Sequence, residues 1–194
     1  MIVNHFINVS CDIIFVSSFE GLINGILEYS RAGRIKANNQ EIETKKIVED
    51  LCYTLKTSDK VSFDVKGTYP DLYTERVALE QVLSNLISNA IKYNDKEKAN
   101  VAVSCTPKHG FVEFSVSDNG PGIKEDYFDK IFVIFQTLQA RDQFESTGVG
   151  LAIVKKIIED KGGKIWLESE LGKGTTFFFT WPIEFKFEEL NDNE

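Results

Sequence analysis

The chain has 194 residues, of which 42% are hydrophobic and 27% charged, and its formal net charge is -8. This length supports one sizeable core and is too short for two ordinary domains. The acidic balance argues against a general nucleic-acid binder, since such proteins usually carry an excess of basic residues. A local phosphate site remains possible, because backbone amides, one lysine and a metal ion suffice for it.

The N-terminal segment is apolar and carries few charges. From about Asp12 its apolar residues recur at helical spacing, and EYSRAGR ends this helix with Gly33 as a C-cap. Without a basic region or a cleavage site, and with polar residues interrupting the run, neither a signal peptide nor a membrane span is predicted. Cys11, Cys52 and Cys105 form no CxxC pair, which indicates reduced thiols in a cytoplasmic chain.

Helices and strands then alternate along the chain. A polar linker over 35–43 precedes an amphipathic helix over 44–56 and a strand over 61–65. A long helix is predicted over 74–93. The alternating segments 100–106 and 111–117 are joined by the turn PKHG and are therefore predicted to form a hairpin, with His109 as an exposed turn residue.

The second half contains the glycine-rich segments. After the turn DNGPGI we expect a short helix over 125–132 and a polar, irregular segment over 136–147. A helix that starts on glycines and ends at Gly162 and Gly163 is followed by two strands, KIWLESE and TTFFFTWPI, and by an acidic tail over 184–194. This order favours an α/β two-layer sandwich, in which a mixed, mostly antiparallel sheet is covered on one face by helices. A doubly wound parallel sheet fits less well, because a tight turn joins the central strands.

The long helix has two faces when it is drawn at about 100° per residue. Asn85, Asn89 and Lys92 fall together, at spacings of four and three, opposite an apolar face. Amide oxygens suit a hard cation such as Mg²⁺, and a neighbouring ammonium suits phosphate. A solvated helix face is the alternative interpretation. The apolar face comprises Leu79, Leu83, Leu86, Ile87, Ala90 and Ile91.

The segment SDNGPGI places Asp118 directly after a strand. Gly120 and Gly122 flank Pro121 and allow a tight turn that another group can approach closely. An aspartate in this place can accept a hydrogen bond from an exocyclic amine. The alternative is an ordinary β-turn, for which the sequence D-N-G-P is well suited.

The segment STGVGLAIVKK places Gly148 and Gly150 before an apolar helix. Free amides at a helix N-terminus make an anion site when glycines permit close approach, although the glycines could also simply mark the start of the helix. GKGT at 172–175 is not a Walker loop, since no glycine stands five residues before Gly172.

These motifs, in this order, strongly resemble the ATP-binding catalytic domain of sensor histidine kinases, within the superfamily that also includes gyrase, heat-shock chaperones and mismatch-repair ATPases. NLISNAIKY resembles the N box, DNGPGI the G1 box, FDKIFVIF the F box, STGVGLAIVKK the G2 box, and GKGTTFFF the closing glycine motif. The amino-acid sequence from FQTLQARDQF to GGKIW is similar to sequences of the phytochrome-like branch. The resemblance covers about residues 42–182 and implies a Bergerat-type fold over 44–183, with residues 1–34 as a remnant of the dimerisation hairpin.

The resemblance implies roles for the polar row of the long helix, with ATP and Mg²⁺ as the bound species. Asn89 would coordinate Mg²⁺ that bridges the ATP phosphates, and Asn85 would support that metal or a phosphate. Lys92 would contact phosphate, and Tyr93 would line the nucleotide pocket.

It also implies roles for the glycine-rich segments. Asp118 would accept a hydrogen bond from the adenine amino group, above a pocket floor shaped by Gly120 and Gly122. Residues 136–147 would form a mobile lid, from which Arg141 reaches the phosphates, and Phe128, Phe132 and Phe135 would anchor its near end or pack in the core. ATP would also contact the start of the following helix, at Gly148, Val149, Gly150 and Leu151.

One position separates transfer from hydrolysis within the superfamily. Its hydrolases carry a glutamate one turn before the metal-binding asparagine, where this chain has Asn85. A neutral amide is a poor general base, so the resemblance implies a kinase that holds ATP in line for another acceptor.

Two departures from the family pattern stand out. Ser146 occupies a position where many relatives have glycine, which implies a slightly stiffer lid. The acceptor histidine is also missing, because His5 is followed by Phe6 and lies too close to EYSR to occupy its place. The implied partners are thus a histidine-bearing dimerisation domain, in the same longer chain or in another, a response regulator and, in a homodimer, a second copy of this chain. A non-catalytic ATP-binding module is the alternative function.

Overall fold

The computed structural model describes residues 23–27, 29–31, 38–136 and 148–184. Several predictions lie outside these residues: the helix before residue 23 and its end at Gly33, His5, Cys11, the lid over 137–147 with Arg141 and Ser146, and the tail from residue 185. Residues 23–27 and 29–31 are helical, and Tyr29 packs against the core. Within the described ranges, no helix is both long and apolar enough to cross a membrane.

Strands and helices alternate along the described chain. Their bounds are β1 (Gln40–Ile42), α1 (Thr44–Leu55), β2 (Val61–Gly67), β3 (Leu72–Thr74), α2 (Arg76–Lys92), β4 (Ala99–Lys108), β5 (Phe111–Asp118), α3 (Gly150–Asp160), β6 (Ile165–Glu170) and β7 (Gly174–Pro182).

Five of these strands form the main sheet, in the order β2-β4-β5-β7-β6. β2 pairs parallel to β4, and the other neighbours pair antiparallel, including the predicted hairpin of β4 and β5. The three helices cover one face, where α2 contacts β4 and β5 and α3 contacts β6 and β7. The predicted two-layer sandwich with a mixed, mostly antiparallel sheet is confirmed.

The core lies between the helices and the inner face of the sheet. Strand residues alternate between this face and the outer one, so that Phe114 and Phe179 stack inside with ring centroids 4.9 Å apart. The predicted apolar face of α2 is confirmed in the main, since Ile91 is half-buried and the rest of it is buried, together with Val82. Cys52 and Cys105 are buried and free of disulfides.

Three local predictions were wrong. Residues 40–42 lie within the predicted linker but form β1, which pairs antiparallel with β3. Thr74 belongs to β3 and not to the long helix, because its buried hydroxyl accepts a hydrogen bond from the Trp181 indole at 3.0 Å. The predicted helix over 125–132 is two 3-10 turns, Glu125–Tyr127 and Lys130–Phe132, in which only Ile131 is buried and no continuous apolar face supports a longer helix.

Candidate functional site

A cavity of about 610 Å³ lies where the end of α2, the end of β5 and the start of α3 meet. Most of the residues predicted to form a site line this cavity. The full lining consists of Asn85, Ser88, Asn89, Ala90, Lys92, Tyr93, Asp118, Pro121, Gly122, Ile123, Lys124, Tyr127, Ile131, Gln136, Gly148, Gly150, Leu151, Leu171, Thr175 and Phe177.

The polar row of α2 forms one wall of the cavity. Asn85, Asn89 and Lys92 are all half-buried and all line it, as does Tyr93, which follows the helix. The predicted separation of this row from the buried apolar face is therefore confirmed. Because each side chain leaves the helix on the cavity side, amide oxygens and an ammonium group share one wall.

Asn85 is held by its own helix. Its Nδ2 donates to the backbone carbonyl of Gln81 at 2.9 Å. Its Oδ1 lies so close to Gly150 that a β-carbon there would come within 2.8 Å of it. The amide of Asn85 thus fills the space between α2 and the start of α3.

Asp118 is the last residue of β5, and its side chain turns back onto backbone amides. Oδ1 accepts hydrogen bonds from the Gly120 amide at 2.8 Å and from the Thr175 amide at 3.3 Å. Desolvation by burial raises the pKa of the Asp118 carboxyl above its ordinary value, and the two backbone hydrogen bonds offset part of this rise. The second carboxylate oxygen remains for a ligand in the cavity.

The turn after Asp118 packs tightly against the turn between β6 and β7. Gly122 has a φ of 74° and lies so close to the Glu170 carbonyl that a β-carbon would come within 2.2 Å of it. Gly174 has a φ of 113° and is approached in the same way by the backbone carbonyl of Asp118, at 1.9 Å. The Gly172 amide donates to Pro121 at 2.7 Å. Glycine is required at 122 and 174, because any side chain would separate the two turns.

The start of α3 faces the cavity through Gly148, Gly150 and Leu151. The residue before the helix is Val149, whose side chain has no oxygen that could cap the first turn. Gly148 has a φ of 64°, and its carbonyl accepts a hydrogen bond from the Phe135 amide at 2.9 Å. The first amides of α3 are therefore available for an anion.

Two residues predicted to bind nucleotide do not line the cavity. Val149 is buried in the core. Gly120 lies behind Asp118, and its amide orients the carboxylate. The sequence-based prediction assigned no role to the cavity residues Thr175 and Ile123. Both lie in the motifs GKGTT and DNGPGI, but neither a threonine nor an isoleucine indicates a binding site until the fold shows that it lines the cavity.

The residues present fit a Mg²⁺ ion held together with a polyphosphate. Asn89 offers a neutral amide oxygen on the cavity wall, and Mg²⁺ commonly takes one or two protein ligands and completes its shell with phosphate and water. Among the residues that the structure describes, no three His, Cys, Asp or Glu side chains come together as a metal site.

The family model described as "Histidine kinase-, DNA gyrase B-, and HSP90-like ATPase" matches residues 74–184. Among curated proteins, the phytochrome-like protein Cph1 of Synechocystis is 37% identical over 170 residues, which is 87% of this chain and 23% of that protein. Cyanobacterial phytochrome A of Nostoc is 38% identical over 173 residues, or 87% of this chain and 22% of that protein. The chain therefore spans under a quarter of the length of these relatives.

A solved structure, the catalytic domain of histidine kinase ThkA in a nucleotide-free form, is similar with a TM-score of 0.64 and 30% identity, over 76% of this chain and 97% of that one. Full-length ShkA in complex with AMPPNP is similar with a TM-score of 0.74 and 26% identity, over 88% of this chain and 37% of that one. The ordered motifs, the sandwich and these matches agree. The chain belongs to the histidine kinase-, DNA gyrase B- and HSP90-like ATPase family, and its resemblance to the histidine kinase catalytic domain, in the phytochrome-like branch, is confirmed.

Proposed function

We propose that this chain is the ATP-binding catalytic domain of a two-component sensor histidine kinase, which transfers the γ-phosphoryl group of ATP to a protein histidine for relay to a response regulator. The observation that carries the proposal is one cavity lined by Asp118, by the polar row of α2 and by the open start of α3. Its volume of about 610 Å³ lies within the usual range of roughly 300–1,000 Å³ for small-molecule sites. The complex of the similar protein ShkA with AMPPNP supports an adenine nucleotide as the ligand.

In this proposal the adenine amino group, the phosphates and Mg²⁺ would each have partners among the lining residues. The remaining oxygen of Asp118 would accept from the adenine amino group. The amides of Gly150 and Leu151, together with Lys92, would bind the phosphate oxygens. Asn89 would hold Mg²⁺, which would supply positive charge against those oxygens. Gly148 permits close approach there, and Tyr127 and Ile131 supply apolar surface.

The lining favours transfer over hydrolysis. Asp118 is the only acidic residue among the described residues of the lining, and its Oδ1 is occupied by two backbone amides. Asn85 donates to Gln81 and cannot take a proton from water. Phosphoryl transfer needs positioning and charge neutralisation rather than a strong base. In that step an imidazole nitrogen bonds to the γ-phosphorus, and the bond to the bridging oxygen breaks with ADP as the leaving group.

The test supplies the acceptor in trans. The chain is incubated with Mg²⁺ and γ-labelled ATP together with a separate histidine-bearing dimerisation hairpin from a related kinase. We expect acid-labile label on the hairpin, and none when its acceptor histidine is replaced by glutamine or when Asn89→Ala is used. ATP binding without transfer to any supplied hairpin would favour a non-catalytic ATP-binding module. Absence of ATP binding would overturn the proposal as a whole.

A further inference from the structure

Ser169 lies on the inner face of the sheet, near the end of β6 and beside the cavity. Its hydroxyl joins three backbone segments. It accepts a hydrogen bond from the Ile123 amide at 2.8 Å, donates to the carbonyl of Gly174 at 2.9 Å, and lies 2.8 Å from the hydroxyl of Thr175. Ile123 and Thr175 both line the cavity, whereas Ser169 itself does not.

The direction of the bond between the two hydroxyls follows from the other two contacts. An amide N–H can only donate, and a carbonyl can only accept. The single proton of Ser169 is therefore used at Gly174. In the hydrogen bond between Ser169 and Thr175, the Thr175 hydroxyl must then be the donor, so its only proton points at Ser169. Towards the cavity, the hydroxyl of Thr175 offers only lone pairs.

Asp118 presents the same polarity beside it. The Thr175 amide donates to Oδ1 of Asp118 at 3.3 Å, so the two side chains belong to one network. When ionised, the carboxylate also offers only lone pairs to a ligand. This end of the cavity therefore presents two neighbouring hydrogen-bond acceptors, the Thr175 hydroxyl and the Asp118 carboxylate. It suits a ligand edge that carries an amine.

We propose that Ser169 is a positioning residue which holds the Thr175 hydroxyl as an acceptor and thereby favours adenine over guanine. This inference rests on the proposed function, since it concerns the nucleotide bound in the same cavity. With the base oriented as proposed above, so that its 6-position faces Asp118, adenine presents an amino group to these acceptors and guanine a carbonyl oxygen. A carbonyl facing two acceptors leaves buried polar groups without a hydrogen bond, which is the costly arrangement in recognition.

Replacing Ser169 with alanine would release the proton of Thr175. The Thr175 hydroxyl could then turn and donate into the cavity, where it would meet the carbonyl of guanine favourably. Ser169→Ala should therefore weaken ATP binding and strengthen GTP binding. A role limited to folding would weaken both nucleotides together, so the ratio of the two affinities separates the two roles.

The experiment measures the affinities of the full chain for ATP and GTP with Mg²⁺ by calorimetric titration. We expect the preference of the wild-type chain for ATP to fall about tenfold in Ser169→Ala, the change that one hydrogen bond of about 1.4 kcal/mol produces. Ser169→Thr should restore the preference, because threonine keeps the hydroxyl and suits a strand.

Ser117 provides a matched control. Its hydroxyl lies 2.8 Å from that of Thr176, in a pair of the same kind on the outer face of the sheet. Ser117→Ala should leave both affinities unchanged. If Ser169→Ala keeps the wild-type preference, or if Ser169→Thr fails to restore a preference that was lost, the proposal is overturned.

Two further measurements keep the outcome decisive. If Ser169→Ala does not fold, Thr175→Val, which removes the acceptor and keeps the backbone amide, must reduce the preference; an unchanged preference contradicts the proposal. If Ser169→Ala folds, it should add nothing to Thr175→Val in the double variant. A wild-type chain that binds no ATP refutes the proposed function, whereas one that binds ATP and GTP equally refutes only this inference.

Discussion

The side-chain oxygen of Asn85 in α2 occupies the space that a side chain on Gly150, the first residue of α3, would need. Because Nδ2 of Asn85 is bonded to the Gln81 carbonyl, the amide cannot turn away without losing a hydrogen bond. Gly150 has no left-handed φ, so its requirement for glycine comes from this neighbour and not from its backbone. Beside the cavity, α2 and the first residue of α3 therefore contact each other through one amide and one glycine.

We expect Gly150→Ala to lower the free energy of unfolding by roughly 1–2 kcal/mol, as overpacking of a well-filled contact does. In an Asn85→Ala background the same change should be neutral or stabilising, since alanine is the better helix former and the obstructing amide is gone. Urea denaturation of the four chains measures this coupling. Equal effects of Gly150→Ala in both backgrounds would contradict the contact.

Asn89 can be tested through the metal dependence of binding. Asn89→Ala should weaken ATP binding in the presence of Mg²⁺ by about tenfold or more, in line with the loss of a directly coordinating oxygen. Without Mg²⁺ the affinity should hardly change. Asn100→Ala, on the exposed part of β4, serves as the control. An unchanged affinity of Asn89→Ala in Mg²⁺ would rule out the metal role.

Burial of Asp118 predicts a pH-dependent cost to stability. Desolvation raises the pKa of the carboxyl in the folded chain above its ordinary value of 3.8, against the opposing hydrogen bonds from Gly120 and Thr175. The folded chain consequently binds more protons than the unfolded chain above pH 3.8. The free energy of unfolding therefore falls as the pH rises through the folded-state pKa.

Asp118→Asn should remove this cost and also abolish recognition. The variant should gain stability relative to the wild-type chain between acidic and neutral pH, as measured by urea denaturation across that range. Its Oδ1 keeps both backbone amides, so its NH₂ group would face the adenine amino group, donor against donor, and ATP affinity should fall more than about tenfold. The exposed Asp126→Asn should show neither effect. A stability difference that is independent of pH would count against the desolvated carboxylate.

The ion pair between Lys161 and Glu75 connects the end of α3 to the start of α2. Its atoms are 3.1 Å apart, and the two side chains are only 18% and 15% exposed. Lys161→Met should destabilise the chain by about 1–2 kcal/mol, because it leaves a largely buried carboxylate without its partner. Lys45→Met, which breaks an ion pair exposed by 64% and 54%, should cost less than about 0.5 kcal/mol. Thermal or urea unfolding compares them directly, and equal costs would contradict the effect of burial.

Local periodicity was sufficient to predict most of the fold. The spacing of the apolar residues in α2 predicted which face of the helix is buried. Since Asn85 and Asn89 lie on the opposite face, the same spacing also predicted the polar wall of the cavity. The alternation of 100–106 and 111–117 predicted the central hairpin, since one face of each strand is buried. The ordered motifs then identified the family.

What the sequence did not reveal depends on contacts between distant residues. β1 and β3 are three residues long and pair across about thirty positions, so neither contains enough alternation to be recognised. The role of Ser169 depends on Ile123, which is 46 positions away, and no local pattern distinguishes that hydroxyl from the others on the same strands. That Gly120 lies behind Asp118 and not in the cavity lining could likewise be seen only from the geometry of the turn.

Gly174 limits how this cavity could be redesigned. A side chain at position 174 would clash with the main-chain carbonyl of Asp118. This carbonyl stays in place whatever side chain position 118 carries. An engineer who wished to make the pocket accept another base could vary Asp118, Ser169 and Thr175 as a set of interchangeable polar groups. Gly174 would have to remain in every member of such a library, because its close packing against the backbone of Asp118 holds the turns that position those groups.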